Sequence, residues 1–254
     1  MKLRKYLFIL CIFCSIKTYS QILNVEGFRL EKDTAHVFLG NAGVGFSTKK
    51  QPTNTLTRFN TNINACFLAE KHSYMVLSTL AFTKVTNAQV QNEGYAHFRI
   101  NFNRRRKFSP EYFAQIQYDK GRGLDKRFLT GVTMRARIFS DKHWNISANT
   151  GFMWEEENWK LGAESANKDL VKSTSNLTIK AKLLPNVSWF FITYYQARVD
   201  DFSQARFITD TSLQLKISNR LAFNTQYIAT YDTSPVIAIP KLIYSLNSTV
   251  QYNF

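Results

Sequence analysis

Cysteine, proline and glycine are scarce in this sequence, with 3, 5 and 10 residues in a chain of 254. So few cysteines exclude a disulfide-stapled fold, and so little glycine and proline excludes a collagen-like or low-complexity chain. Acidic residues are also few, 18 against 33 lysines and arginines. After residue 21 there is no run of 18 or more apolar residues, so the sequence predicts no transmembrane helix.

The first residues have the pattern of a secretory signal. Basic residues precede an apolar run from Tyr6 to Ile16, which is too short to span a bilayer as a helix. We predict that residues 1–20 are a cleaved signal peptide for export, with a buried N-terminal helix as the alternative. Residues 21–34 are then a short N-terminal periplasmic segment, and residues 35–254 form the folded domain.

Alternation of apolar and polar residues recurs along the rest of the chain, and this period of two is typical of β-strands with two different faces. In residues 95–103, Phe98 and Ile100 fall on one face and His97 and Arg99 on the other. The pattern predicts an all-β fold of about twelve strands. The predicted strands lie near 35–47, 54–68, 73–84, 93–104, 110–120, 124–139, 143–155, 172–184, 187–199, 203–217, 220–231 and 240–254.

Two architectures fit such strands, a soluble sandwich or barrel with an apolar interior and a transmembrane antiparallel β-barrel with an apolar exterior. Bulky polar residues on one face of almost every strand favour the membrane barrel. The spacing also predicts short turns after the even-numbered strands and longer connections elsewhere, as at 85–92, 156–171 and 232–239. An even number of strands closes such a barrel, so that no backbone edge is left unpaired in lipid.

The last strand ends in Phe254, with aromatic and apolar residues on one of its faces. This resembles the C-terminal signal through which the barrel-assembly machinery recognises outer-membrane barrels. We therefore expect outer-membrane lipid and that machinery as partners, and the outer membrane of a Gram-negative cell as the location.

A longer pattern covers YDKGRGLDKRFLTGVTMRARI at 118–138 and GFMWEEENW at 151–159. It resembles the barrels grouped as domain of unknown function 481, often labelled salt-induced outer membrane proteins. The matching residues are Gly123, Leu124, Arg127, Leu129, Gly131, Arg135, Gly151, Trp154 and Glu155, although the family usually has Tyr at the position of Trp154. The resemblance implies a barrel of this size and no established activity.

Charged residues on the inward faces are the candidate functional residues, and basic ones predominate. Simple hairpin registers would place Glu111 opposite Arg135 and Arg127 opposite Glu155, where Arg–carboxylate pairs can brace the lumen. A ligand site is the alternative interpretation of the same residues. The candidates for lining or bracing the lumen are Arg99, Glu111, Asp119, Arg127, Arg135, Arg137, Glu155, Lys180, Arg198 and Arg206.

No catalytic or metal-binding pattern emerges from the sequence, and we predict no cofactor. Outer-membrane phospholipases place a Ser and a His two residues apart on a lipid-facing strand, and none of the four histidines here has that neighbour. His97 is expected inside the lumen. The one tight basic group, Arg104–Lys107, lies in a predicted turn and fits phospholipid headgroups better than nucleic acid.

The sequence thus predicts an outer-membrane barrel of unknown cargo that is not an enzyme. It is either a narrow passage for small anionic solutes, because rings of Arg and Lys favour anions, or a structural barrel. The alternatives are a lipid-acting enzyme and a docking or adhesion barrel that uses the predicted loop 156–171.

Overall fold

The computed structural model describes residues 35–50, 55–86, 88–218, 221–237 and 239–252. The predicted signal peptide, the segment 21–34 and the terminal Phe254 lie outside these residues. Along the described ranges, no helix is long and apolar enough to cross a membrane.

Twelve antiparallel strands follow one another in a single sheet, each paired with its neighbours in chain order. The strands are β1 Val37–Lys50, β2 Thr55–Leu68, β3 Ser73–Val85, β4 Ala88–Asn101, β5 Phe108–Asp119, β6 Leu124–Ser140, β7 Trp144–Leu161, β8 Glu164–Leu184, β9 Val187–Arg198, β10 Ala205–Lys216, β11 Leu221–Asp232 and β12 Leu242–Tyr252. Eleven consecutive pairings connect them, and a pairing of β1 with β12 is not among those that the described residues make. The all-β prediction and the number of strands are confirmed.

The two faces of the sheet have the inverted polarity that the sequence predicts. Large apolar side chains are exposed, among them Phe46 at 69% and Phe152 at 59%. Charged side chains are buried instead, with Arg135 at 2% and Glu155 at 1% exposed. A soluble barrel or sandwich would bury the first set and expose the second, so this polarity is typical of a barrel that has lipid around it.

The sheet is rolled so that distant strands face each other across an interior. A guanidinium nitrogen of Arg206 on β10 lies 2.9 Å from a carboxylate oxygen of Glu157 on β7. Farther along the interior, a single cavity of about 50 Å³ is lined by residues of every strand from β4 to β10. The polar faces therefore enclose a common lumen.

The connections differ from the predicted pattern of alternating lengths. Residues 88–92 belong to β4, and residues 156–171 form the paired ends of β7 and β8, joined by Gly162 and Ala163 alone. The predicted long loops at these places are therefore wrong. The strands stay paired here because the alternation of inward and outward residues continues beyond Glu155. The docking or adhesion alternative depended on a long loop at 156–171, which the structure does not have.

The longest connection between described strands, residues 233–241, does occur where the sequence predicts a loop. Its described residues, 233–237 and 239–241, fold inward over one mouth of the barrel. Ile237 packs there against Leu124 of β6 and Trp159 of β7, and Val236 and Ile239 pack around them. We call residues 233–241 the cap. The odd-numbered connections, including the cap, lie at what we call the capped end.

Candidate functional site

The family-like motif builds the hairpins that carry the interior charges. Gly123 ends a short 3-10 turn with a φ of 82°, a left-handed conformation that favours glycine. Gly151 lies against the backbone of β6, and a Cβ atom there would come within 2.1 Å of the carbonyl oxygen of Val132. Gly131 is similarly crowded, by Phe152 and Phe113. Glycine at 131 and 151 thus lets β6 and β7 bring their inward side chains close together.

Six charged side chains meet beneath the cap in what we call the outer network. Its members are Arg127, Glu155, Glu157, Lys172, Arg206 and Asp232. Three are cations and three are carboxylates, so their formal charges cancel. They come from β6, β7, β8, β10 and β11, and the network therefore ties together strands that are far apart in the sheet.

The carboxylates of β7 lie at the centre of this network. Arg127 forms an ion pair with Glu155 and places its Nε atom 3.1 Å from Oε1 of Glu157. Lys172 donates a hydrogen bond of 2.5 Å to Glu155. Arg206 donates to Glu157 over 2.9 Å and to Asp232 over 3.0 Å. Buried charges are tolerated where such pairs and hydrogen bonds offset the loss of hydration.

The outer network is joined to the cap at two points. The indole N–H of Trp159, on which Ile237 packs, donates a hydrogen bond of 2.9 Å to Glu157. Asp232 is the last residue of β11, directly before the cap. Thr233 then holds the start of the cap, because its hydroxyl accepts the backbone N–H of Ala205 and donates to the carbonyl of Ser203.

Two apolar clusters, one on β5 to β7 and one on β9 and β10, line the lumen next to the outer network, and we call them together the apolar layer. At the next inward position along each strand from Arg127, Glu155 and Arg206, the side chain is apolar. The layer consists of Phe113, Leu129, Met153, Ile192, Tyr194 and Ile208, all of them buried. His97 lies beside it, with its ring stacked on Phe113 and its Nδ1 atom 2.9 Å from the side-chain oxygen of Gln115.

A second charge cluster, which we call the inner network, lies on the other side of the apolar layer. Glu111 is its centre and accepts hydrogen bonds from Arg99 at 3.2 Å, Asn101 at 2.6 Å and Asn149 at 3.4 Å. Arg135 is buried between the strands that carry Ser109 and Asn149. Basic side chains outnumber acidic ones in this part of the lumen, unlike in the outer network.

The predicted lumen residues fall into four groups. Arg127, Glu155 and Arg206 belong to the outer network, and Arg99 and Glu111 to the inner network. Arg135 is buried, whereas Arg137 and Lys180 are half-buried, and Arg137 donates to the carbonyl of Arg104. The two remaining candidates lie at the capped end, where Asp119 accepts the backbone N–H of Arg122 and Arg198 pairs with Asp200.

Both predicted cross-strand registers are wrong by two residues. Glu111 lies opposite Thr133, because the β5–β6 hairpin closes at Asp119 and Leu124 and contains a register shift. Arg127 lies opposite Glu157, because the β6–β7 turn is displaced and a second shift follows Arg137. The long side chain of Arg127 still reaches Glu155, so this ion pair forms without the predicted register.

Several members of the networks were missed in the sequence. Glu157 was assigned to a loop, although Glu155, Glu157 and Trp159 continue the inward alternation of β7. Lys172 and Asp232 lie at or beyond the predicted strand ends. Asn101 and Asn149 carry no charge, and their partners are set by strand pairing that the alternation does not reveal. Among the described residues, no group of histidine, cysteine, aspartate or glutamate is placed to hold a metal ion.

Comparison with known proteins gives a family and a fold. The model of a family described as "Protein of unknown function, DUF481" matches residues 42–254. The NanC porin has a similar structure, with 7% sequence identity and a TM-score of 0.50, and the match covers 85% of this chain and 99% of the porin. The β domain of the Bordetella autotransporter BrkA matches at 7% identity with a TM-score of 0.39, over 85% and 98% of the two chains. No curated protein sequence matched.

Proposed function

This chain belongs to the DUF481 family of proteins of unknown function and has the fold of an outer-membrane β-barrel, and we propose that it is a narrow, anion-preferring passage, closed in this conformation. We further propose that it works in the outer membrane of a Gram-negative cell, reached through the N-terminal signal and the barrel-assembly machinery. The porin-like fold and the inverted polarity of the strands support this location.

The charge of the lumen beyond the apolar layer is the observation that carries the proposal. Arg99, Arg135, Arg137 and Lys180 lie there, with Glu111 and Asp210 as buried inward carboxylates, so basic side chains are in excess. Basic linings attract small anions and repel cations. The outer network adds no net charge to this preference, since its cations and carboxylates are equal in number.

Closure has two structural components. The cap covers the mouth, and the apolar side chains narrow the lumen between the two networks, beside a polar path that runs from Arg127 through Gln117 and Gln115 to His97. Apolar constrictions oppose the passage of hydrated ions because they cannot replace the water that the ion must lose. Passage therefore requires the cap and the outer network to rearrange, and a closed state should be the resting state.

Recording from single purified barrels in planar bilayers tests this function. We expect rare current steps that are anion-selective, and we expect Ile237→Ser to make them more frequent because it weakens the packing of the cap. Arg137→Glu should reduce or reverse the selectivity. Lys142→Glu makes the same charge change in an exposed turn and should leave the selectivity unchanged. Anion selectivity that is insensitive to Arg137→Glu would contradict the role of the basic lumen.

A structural barrel is the second candidate, and the side-chain networks that fill the interior favour it. A structural barrel would be electrically silent both as wild type and as Ile237→Ser. Both proteins should be correctly folded, as judged by their resistance to heat in gel electrophoresis. We also propose that the barrel is not an enzyme, because its buried histidine, His97, points into the lumen rather than toward lipid.

A further inference from the structure

We propose that the uncapped end of the barrel carries a binding collar for the phosphate headgroups of anionic phospholipids. The collar is formed by exposed cations of the even-numbered connections. They are Lys71, Arg105, Arg106, Lys107 and Lys142. This inference is independent of whether the lumen conducts.

The β4–β5 connection concentrates most of this charge. Its sequence, from Phe102 to Phe108, places four cations between two phenylalanines. Arg104 is buried at 9% exposure and donates from its Nε atom to the carbonyl of Ala69 over 3.0 Å. Its own carbonyl accepts a hydrogen bond from Arg137. Arg104 therefore fixes the connection to the neighbouring turn and to β6.

The other three cations of this connection are exposed as a consequence. Arg105, Arg106 and Lys107 lie next to one another on the rim, with Lys107 5.8 Å from the ring centre of Phe108. Their close spacing favours a ligand that carries negative charge. The fixed backbone means that binding need not first order the connection, which reduces its entropic cost.

Exposed aromatic side chains on the lipid-facing side place this rim at the depth of the headgroups. Phe108 is 58% exposed, Phe139 48% and Trp144 40%, and all three lie at the adjoining strand ends. Aromatic residues collect at the boundary between hydrocarbon and headgroups. A cation immediately beyond such a belt meets lipid phosphates rather than bulk water, and for this reason we assign lipid, not nucleic acid, as the partner.

At the capped end, several of the described exposed cations lie beside carboxylates. Lys120 there pairs with Asp125, Lys126 lies 3.9 Å from Glu156, and Arg198 pairs with Asp200. At the uncapped end the exposed carboxylates of the even-numbered connections are Glu70 and Asp141, and Asp141 accepts hydrogen bonds from backbone N–H groups of its own turn. Lys84, Lys160 and Lys241 are also exposed at the capped end, but among the described connections the excess of positive charge is larger at the uncapped end.

Native mass spectrometry of the full chain in detergent, with added phosphatidylglycerol or phosphatidylethanolamine, tests the collar. We expect the wild type to retain phosphatidylglycerol preferentially, and Arg105→Ala/Arg106→Ala/Lys107→Ala to lose this preference by about fivefold for each cation removed at low salt. Phosphatidylethanolamine binding should stay unchanged. The matched control, Lys120→Ala/Lys126→Ala/Lys160→Ala, removes three exposed lysines from the capped end and should keep the preference.

Arg105→Lys/Arg106→Lys keeps the charge and should bind like the wild type, which separates loss of charge from damage to the turn. Equal retention of the two lipids by the wild type would overturn the collar, and so would an equal loss in both triple variants. An RNA oligonucleotide that binds more tightly than phosphatidylglycerol and displaces it would overturn it in favour of a nucleic-acid partner.

Discussion

Replacing three adjacent glutamates of β7 by glutamine, one at a time, tests the contribution of the interior networks to stability. The three positions lie side by side in one strand. Glu155 and Glu157 point inward and are each 1% exposed. Glu156 points outward, where its side chain is 34% exposed and lies 3.9 Å from Lys126. Because the substitution is the same in all three cases, differences in stability report the surroundings of each carboxylate.

We expect Glu155→Gln to lower the free energy of unfolding by about 3–5 kcal/mol, because it leaves Arg127 and Lys172 buried beside too little negative charge. Glu157→Gln should behave similarly, since Arg127, Arg206 and Trp159 all depend on that carboxylate. For Glu156→Gln we expect a loss below about 1 kcal/mol, as for other partly exposed pairs.

The measurement is urea unfolding of barrels folded into lipid vesicles, followed by tryptophan fluorescence, with the slopes compared so that midpoints can be converted to free energies. Glu155→Gln/Lys172→Met restores equal numbers of cations and carboxylates in the outer network, so the double variant should recover part of the loss. If Glu156→Gln were as destabilising as Glu155→Gln, the assignment of inward and outward faces on β7 would be refuted.

Three further outcomes follow from other parts of the barrel. Gly151→Ala should destabilise the fold by about 3 kcal/mol or more, since the added methyl group meets the backbone of β6. Gly162→Ala should cost only about 1 kcal/mol, because its methyl group meets no atom within 4 Å and only a φ of 60° is strained. The urea midpoints of the two variants measure this difference in stability. The pKa of Asp141 lies below its ordinary value of 3.8 because two backbone N–H groups donate to it. The stabilising effect of Asp141 is therefore complete above pH 3.8 and is lost as the pH falls below that value. The difference in urea midpoint between wild type and Asp141→Asn should shrink over the same fall in pH, and a constant difference would contradict this explanation. Phospholipid vesicles should release no fatty acid with wild type or His97→Ala, and release by wild type that His97→Ala abolishes would contradict the absence of catalysis.

The strand pattern could be predicted from the sequence because a lipid exterior and a polar interior impose the same period of two on every strand. The predicted strand 203–217 is observed as Ala205–Lys216, and 110–120 as Phe108–Asp119. Departures arise where charged residues continue a strand beyond the predicted end. The alternation predicts a loop from residue 156, although Glu156 and Glu157 continue the outward and inward positions of β7.

Cross-strand partners could not be predicted in the same way, because a register depends on turn shape and on single inserted residues. The shift between Gln117 and Asp119 moves the pairs of the β5–β6 hairpin from Gln117 to Phe108, and nothing in the alternation marks it. The cap was missed for another reason. The segment from Pro235 to Pro240 is apolar between two prolines, which is unusual for an exposed connection. Its packing partner Trp159, however, lies beyond residue 155, where the predicted strand ends.

Charge is distributed unequally along the lumen, and this inequality would link the proposed gate to the proposed preference for anions. An anion that enters from the uncapped end meets Arg137 and Lys180 first, then the apolar layer, and then the outer network, in which each cation already faces a carboxylate. It can proceed only if it replaces one of these carboxylates at a cation. Asp232 is the candidate, because it is the most exposed member of the network, at 20% of its side chain, and it holds Arg206 directly before the cap. Exchange at Arg206 would remove one of the contacts that hold the start of the cap, beside those of Thr233 and Ile237, so the arrival of an anion would favour the opening of the mouth.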